Sequence, residues 1–155
     1  MGSFLIGAGF ASAVLSSFLY FISSGGNAKY TKHARMLFHS AAILTISSAA
    51  FLLYLIISHQ FQYTYVWNYS SKDLPWNLLI ATFYAGQEGS FHLWAFLMAI
   101  LGVFLLPYLA NKDKEAVSSF GIKADKYEPL VMGVFTLIQA FLLFILIIKS
   151  PYLFV

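Results

Sequence analysis

Four stretches of this chain are so apolar, and run so far without a charge, that they can settle only as membrane-spanning helices. They extend from about Phe4 to Ile22, Met36 to Ser58, Ser90 to Leu109 and Leu130 to Ile148, and no Asp, Glu, Lys or Arg interrupts them. A helix rises about 1.5 Å per residue, so a hydrocarbon core of about 30 Å takes roughly 20 apolar residues. Lipid offers no hydrogen bonds to the backbone, which is why such stretches become helices. Only 10% of the 155 residues are charged, against about 25% in an ordinary soluble domain. The expectation is an all-α integral membrane protein, a single membrane domain over residues 1–155. Only Met1, Gly2 and Ser3 precede the first stretch. Without a basic leader, and with too long an apolar run for a signal peptide, it reads as a retained helix.

The basic residues set the orientation. Lys29, Lys32 and Arg35 follow the first span, and Lys112, Lys114, Lys123 and Lys126 follow the third. Lys72 and Lys149 alone lie elsewhere. By the positive-inside rule the first and third loops are cytoplasmic, which puts both termini and the outer loop, residues 59–89, outside. The polar run from Asn111 to Lys126 reads as a cytoplasmic loop. Basic residues confined to loops form no stripe for nucleic acid. The chain has no cysteine, which excludes disulfides, thiolate metal sites, a thiol nucleophile and the C-x-x-C-H attachment site of a c-type cytochrome.

Small residues recur every fourth position, as in Gly9, Ala13, Ser17 and in Ala41, Thr45, Ala49, which suits close helix packing in lipid. Gln139 lies near the middle of the fourth span, where an unpaired amide is costly. It calls for an interhelical hydrogen bond, or else for a ligand or a proton path.

The outer loop carries most of the information. From Phe61 to Tyr69 every odd position is aromatic: Phe61, Tyr63, Tyr65, Trp67 and Tyr69. A period of two is strand geometry and would gather the aromatics on one face, although no other segment offers an obvious partner strand. Ser70 to Pro75 then resembles a helix start, with serine or aspartate to cap and proline in the first turn. The apolar segment from about Pro75 to Ala85 is too short to cross. It is expected to be a short interfacial helix anchored by Trp76, Phe83 and Tyr84. Trp67, Trp76 and Trp94 all fall on the outer side. They suit an aromatic belt or a platform for a flat apolar ligand such as a porphyrin. Gly86 and Gly89 bracket Gln87 and Glu88 where the third span begins. Glu88 is favoured by the helix dipole, and Ser90 could cap.

Of the four histidines, His33, His39, His59 and His92, no two are spaced three or four apart, so no helix carries a two-histidine metal site. His59 and His92 lie at the outer ends of their spans and could meet as axial haem ligands. There is no phosphate loop, no nucleophile elbow and no paired carboxylate within a span, so no catalytic residue is assigned.

Tyr65 and Val66, a serine at 70 or 71, Leu74 and Pro75, then Gly86, Gln87, Glu88, Gly89 and Ser90 with Trp94 resemble the N-terminal signature of the CcmF-type haem lyase. That protein is the large membrane subunit of bacterial cytochrome c maturation. The resemblance covers all four spans. It implies a multi-pass protein of the bacterial inner membrane, with haem as cofactor. It implies as partners the remaining part of the lyase or other maturation subunits, a haem chaperone and apocytochrome c. Family members are several times longer, and their haem-ligating histidines and tryptophan-rich external loop lie downstream of the matched part. This chain therefore reads as a fragment of a larger architecture whose haem ligands lie elsewhere. Tyr84 and Ala85 stand where many members have Trp-Gly, and Gln87 where some have His. The implied function is handling of haem on the outer face for covalent attachment to apocytochrome c. The alternatives are a small membrane subunit of a respiratory or quinone-handling complex, and a transporter component built on the break from Gly86 to Ser90.

Overall fold

The structure is a computed structural model that describes residues 1–120 and 127–155, without the side chains of residues 28 and 116–120. Among the described residues four long helices carry the fold: α1 Gly2–Ser24, α2 Thr31–Ile57, α5 Gln87–Phe120 and α6 Tyr127–Ile148. Two short ones, α3 Thr64–Tyr69 and α4 Trp76–Ala81, fill the connection between α2 and α5. All four expected spans coincide with helices long and apolar enough to cross a membrane. Their outward faces remain apolar: Phe18, Ile43, Phe104 and Phe141 are 61–71% exposed. A surface this apolar is matched to lipid. The chain is an all-α, multi-pass membrane protein.

α1 packs along both α2 and α6, and α5 completes the bundle against α6 and α2. The small-residue rows lie inside, where Gly9, Ala13, Ser17, Ala41, Thr45 and Ala49 are all buried. Close approach lets side-chain hydroxyls bond to neighbouring backbones, Ser16 donating to the Ala34 carbonyl and Ser17 to that of Gly133, each at 2.8 Å. The bundle has an aromatic end, built around residues 59–89 and the C-terminal tail, and a basic end at the α1–α2 and α5–α6 connections.

Three expectations need correction. First, residues 64–69 are a helix, not a strand. Successive odd positions on a helix turn through about 200°, so the aromatics cannot share one face. Tyr65 is 3% exposed and Trp67 62%. Only Tyr63 stays extended, and its partner is the C-terminal tail. Thr64 N–H donates to Leu153 O at 2.8 Å, Val155 N–H donates to Gln62 O at 3.0 Å, and the Tyr63 and Phe154 rings stack at 4.8 Å. Second, α5 runs on to Phe120 where a loop was expected. Lys, Glu and Ala are good helix formers, and they carry the helix past the hydrocarbon. Lys123 and Lys126 lie outside the described residues. Third, no serine or aspartate caps α4. Pro75 occupies the cap position in an extended conformation, and its carbonyl accepts from Leu78 and Leu79. Trp76 and Tyr84 are exposed as interfacial anchors should be, but Phe83 is turned inward.

The basic end is tied by charge. Arg35 of α2 makes a two-point contact with Glu128 of α6, its Nε donating to Oε1 at 2.6 Å, and the Glu128 side chain is only 3% exposed. Asp113 of α5 caps α6 from outside, accepting from the Tyr127 and Glu128 amides at 2.9 and 3.0 Å. One carboxylate thus satisfies two of the orphan donors at that helix start.

Candidate functional site: the tyrosine-centred collar at the aromatic end

Tyr65 is the hub of the connection between α2 and α5. Its phenol donates toward the carbonyls of Thr82 and Phe83, at 3.0 and 3.1 Å, and accepts from the Gly86 N–H at 3.1 Å. A single side chain therefore satisfies backbone groups across the 3-10 turn Thr82–Tyr84 and the start of α5. Thr82 closes the loop, its hydroxyl reaching the carbonyls of Tyr69 at 3.3 Å and Leu78 at 3.1 Å. Burial pushes the Tyr65 phenol up to about 12, partly opposed by its bond from Gly86.

The two glycines owe their identity to Tyr65. A Cβ at Gly86 would stand 2.6 Å from Tyr69 Cε2 and 2.8 Å from Tyr65 Cε2. One at Gly89 would overlap Tyr65 Oη and the Phe83 carbonyl oxygen. Neither glycine has a positive φ; what they supply is room for the two tyrosine rings, packed 4.9 Å apart. The structure thus brings Tyr65, Gly86 and Gly89 into one cluster, with Val66 fully buried beside it. Ser90 does not cap α5. It lies inside the helix and donates to the Tyr84 carbonyl at 3.1 Å. Glu88 sits in the first turn, where the helix dipole favours a carboxylate. Pro75 and Trp94 stand apart and exposed, as do Trp67 and Trp76. The three indoles are 62–65% exposed, so they face outward from the collar without enclosing anything.

Sequence reasoning missed Tyr152. The tail folds back so that this ring is 5% exposed and its hydroxyl donates to the Ser48 carbonyl at 2.6 Å. A Cβ on Gly2 would meet the same ring at 2.5 Å, so the start of α1 is shaped around it. Burial raises the Tyr152 phenol above its ordinary value. The only signal was an aromatic residue after a proline in a short polar-flanked tail, which is not specific.

His59 and His92 have different ring neighbours. His92 is fully buried between the rings of Phe83 and Tyr152, at 6.0 and 6.1 Å. His59 stacks on Phe61 at 5.8 Å, so the two share no ring neighbour. An apolar cleft of about 390 Å³ opens between α2, α4 and α5, lined by residues such as Ala49, Leu53, Ile80, Phe83, Tyr84 and Phe96, and neither histidine lines it. Among the described residues no three His, Cys, Asp or Glu side chains gather as a metal site.

No protein-family model matches the sequence, and no curated protein does. A solved structure titled "Cytochrome c Heme Lyase CcmF" superposes with a TM-score of 0.70 over 98% of this chain, at 24% identity. The fold is CcmF-like. This chain corresponds to 25% of the length of that CcmF chain. What it shares with CcmF is the fold. Of the sequence elements that resemble CcmF, the collar joins Tyr65, Val66, Gly86 and Gly89, and Pro75 and Trp94 lie outside it.

Tyr65→Phe tests the hub directly. It removes the phenol's bonds to the Thr82 and Phe83 carbonyls and leaves the Gly86 amide without its side-chain partner, at an expected cost of about 1–3 kcal/mol. The pH response gives the sign. With its folded-state pKa raised from 10.0 to about 12, Tyr65 contributes stability that is whole below pH 10 and fades as pH rises toward 12. Thermal unfolding in detergent between pH 8 and 11.5 should show this alkaline decline in the parent, and a smaller decline in Tyr65→Phe.

Proposed function

We propose that this chain serves cytochrome c maturation as the four-helix membrane section of a CcmF-type haem lyase. The observation that carries the reading is the likeness of fold to CcmF along 98% of the chain. The convergence of Tyr65, Gly86 and Gly89 supports it, because these residues belong to the elements that resemble the lyase and the fold gives them a common structural task. In this reading the aromatic end faces outward from a bacterial inner membrane, with both termini on that side, as the seven basic residues between the first and second and between the third and fourth apolar stretches favour. The collar holds Trp67, Trp76 and Tyr84 as an outer shelf beside which haem is handled. Those aromatics offer flat apolar contact, while the iron ligands come from the rest of the lyase. The partners are that remaining part or other maturation subunits, the haem chaperone that delivers haem, and apocytochrome c, whose C-x-x-C-H thiols receive it.

The test is haem staining of denaturing gels from cells lacking this coding segment, alongside spectra of their b-type cytochromes. The expected result is loss of covalently bound haem with b-type haem intact, restored by supplying the segment in trans. Unchanged covalent haem, in a host with no second copy, would end this reading.

A further inference from the structure

The centre of the bundle is not wholly apolar. Seven polar side chains follow one another from the aromatic end toward the basic end, and every one is buried: His92, Ser48, Thr45, Gln139, Thr136, Ser17 and Tyr20. Contacts set their order. Tyr152, whose ring borders His92, bonds to Ser48. Thr45 lies on the same helix, about one turn further in, and Gln139 donates to its hydroxyl at 3.4 Å and to the Ala95 carbonyl at 3.1 Å. Ala95 follows His92 by about one turn of α5. Thr136 and Ser17 both donate to the Gly133 carbonyl. Tyr20 packs in one cluster with Ala34 and Met132, one turn of α6 from Glu128. From Gln139 to Glu128 is about 16 Å of helix rise, and His92 adds another turn. The row thus spans about 20 Å of a hydrocarbon core of about 30 Å.

Three of these residues carry atoms with no hydrogen-bond partner among the described residues: both ring nitrogens of His92, Oε1 of Gln139 and the hydroxyl oxygen of Tyr20. They fall near the start, the middle and the far end of the row. The hydroxyls between them spend their protons on backbone carbonyls, Thr45 on Ala41 and Thr136 on Met132, so their oxygens act as acceptors, as that of Thr45 does toward Gln139. Buried polar atoms in such an arrangement are the usual partners of internal water, which needs two to four of them. Titratable groups stand at both ends. Glu88 precedes His92 by four residues and so lies on its face of α5. Glu128 closes the other end, held by Arg35, with Asp113 at the α6 amides and Lys112 over the Tyr127 ring.

We propose that this row is a hydrated column that conducts protons between Glu88 at the aromatic end and Glu128 at the basic end. A proton taken up on one nitrogen of His92 is released from the other. It then passes along water held by the Gln139 Oε1 and the threonine oxygens, and the Tyr20 hydroxyl takes up a proton from that water as it gives its own to the Glu128 carboxylate. A relay histidine needs both nitrogens unclaimed by fixed partners, and a buried one inside a membrane bundle is the kind of residue that marks a proton path. The chain would thereby move protons whether or not it meets haem.

The test uses the full chain reconstituted into phospholipid vesicles loaded with a pH-sensitive dye, with a potassium diffusion potential imposed by valinomycin. Proton entry should exceed that of protein-free vesicles at least fivefold. It should fall to their level in His92→Leu and in Gln139→Leu, and hold in Phe141→Leu, which alters only the lipid face. Circular dichroism and gel filtration identify any variant that fails to fold, and His92→Gln, which keeps polarity but cannot relay, should also lose flux. Parent flux equal to that of protein-free vesicles overturns the proposal whatever the variants do, as does parent-level flux in folded His92→Leu. Cytochrome c is absent from this assay, so its outcome is independent of the maturation reading.

Discussion

Gly89→Ala is expected to destabilise the fold by about 2 kcal/mol or more, although it places the best helix former at a helical position. Two effects oppose each other. Replacing glycine by alanine inside a helix ordinarily gains up to about 1 kcal/mol. Here the new methyl overlaps Tyr65 Oη and the Phe83 carbonyl oxygen. Forcing a methyl into a packed site costs about 1–3 kcal/mol, and more where backbone must yield. The phenol cannot swing away freely, because its three hydrogen bonds would go with it. Steric overlap therefore wins. Gly7→Ala is the internal control, since a Cβ there meets nothing within 4 Å, and it should be neutral or slightly stabilising. Thermal unfolding of both in the same detergent checks the contrast. Equal melting temperatures would mean that the collar yields without cost and that Tyr65 does not fix it.

Arg35→Leu is expected to cost about 2–3 kcal/mol, more than Glu128→Gln. Removing one partner of a buried ion pair leaves the other charge uncompensated, which costs about 3–5 kcal/mol when both are buried. Arg35 is itself 39% exposed, so solvent already screens part of the interaction and the lower range applies. The asymmetry follows from burial. Without Arg35 the carboxylate of Glu128, 3% exposed, has little water to turn to. Without the Glu128 charge, Arg35 can extend its guanidinium toward the interface. The double variant Arg35→Leu/Glu128→Leu should recover most of the loss, because it removes both charges together. Denaturant titration of helical signal gives all three values, and a double variant worse than Arg35→Leu would contradict the account.

The readings of the sequence that held rest on rules local to a segment. Four uninterrupted apolar stretches can be satisfied in lipid only as helices. The apolar length from Pro75 to Ala85 forbids a crossing, and Gln139 in mid-span demanded the interhelical bond that it makes to Thr45 and Ala95. The aromatic alternation from Phe61 to Tyr69 failed because periodicity reports a face only if the backbone is known, and here packing of Tyr65 and Val66 into the bundle selected a helix. The motif residues were visible, but their reason was not. Nothing in Gly-Gln-Glu-Gly says that a phenol from 21 residues earlier lies against it. Tyr152, which plugs the aromatic end between α1, α2 and α5, was invisible for the same cause.

By itself, then, the sequence determined the solvent, the number of spans and the short interfacial helix, since each depends only on the transfer of one segment from water to lipid. Tertiary structure alone decided which side chains meet: Tyr65 under its two glycines, Arg35 on Glu128, and a row of polar groups running through an apolar bundle. Those contacts join residues tens of positions apart in the chain, and they form only when helix faces have already chosen their neighbours.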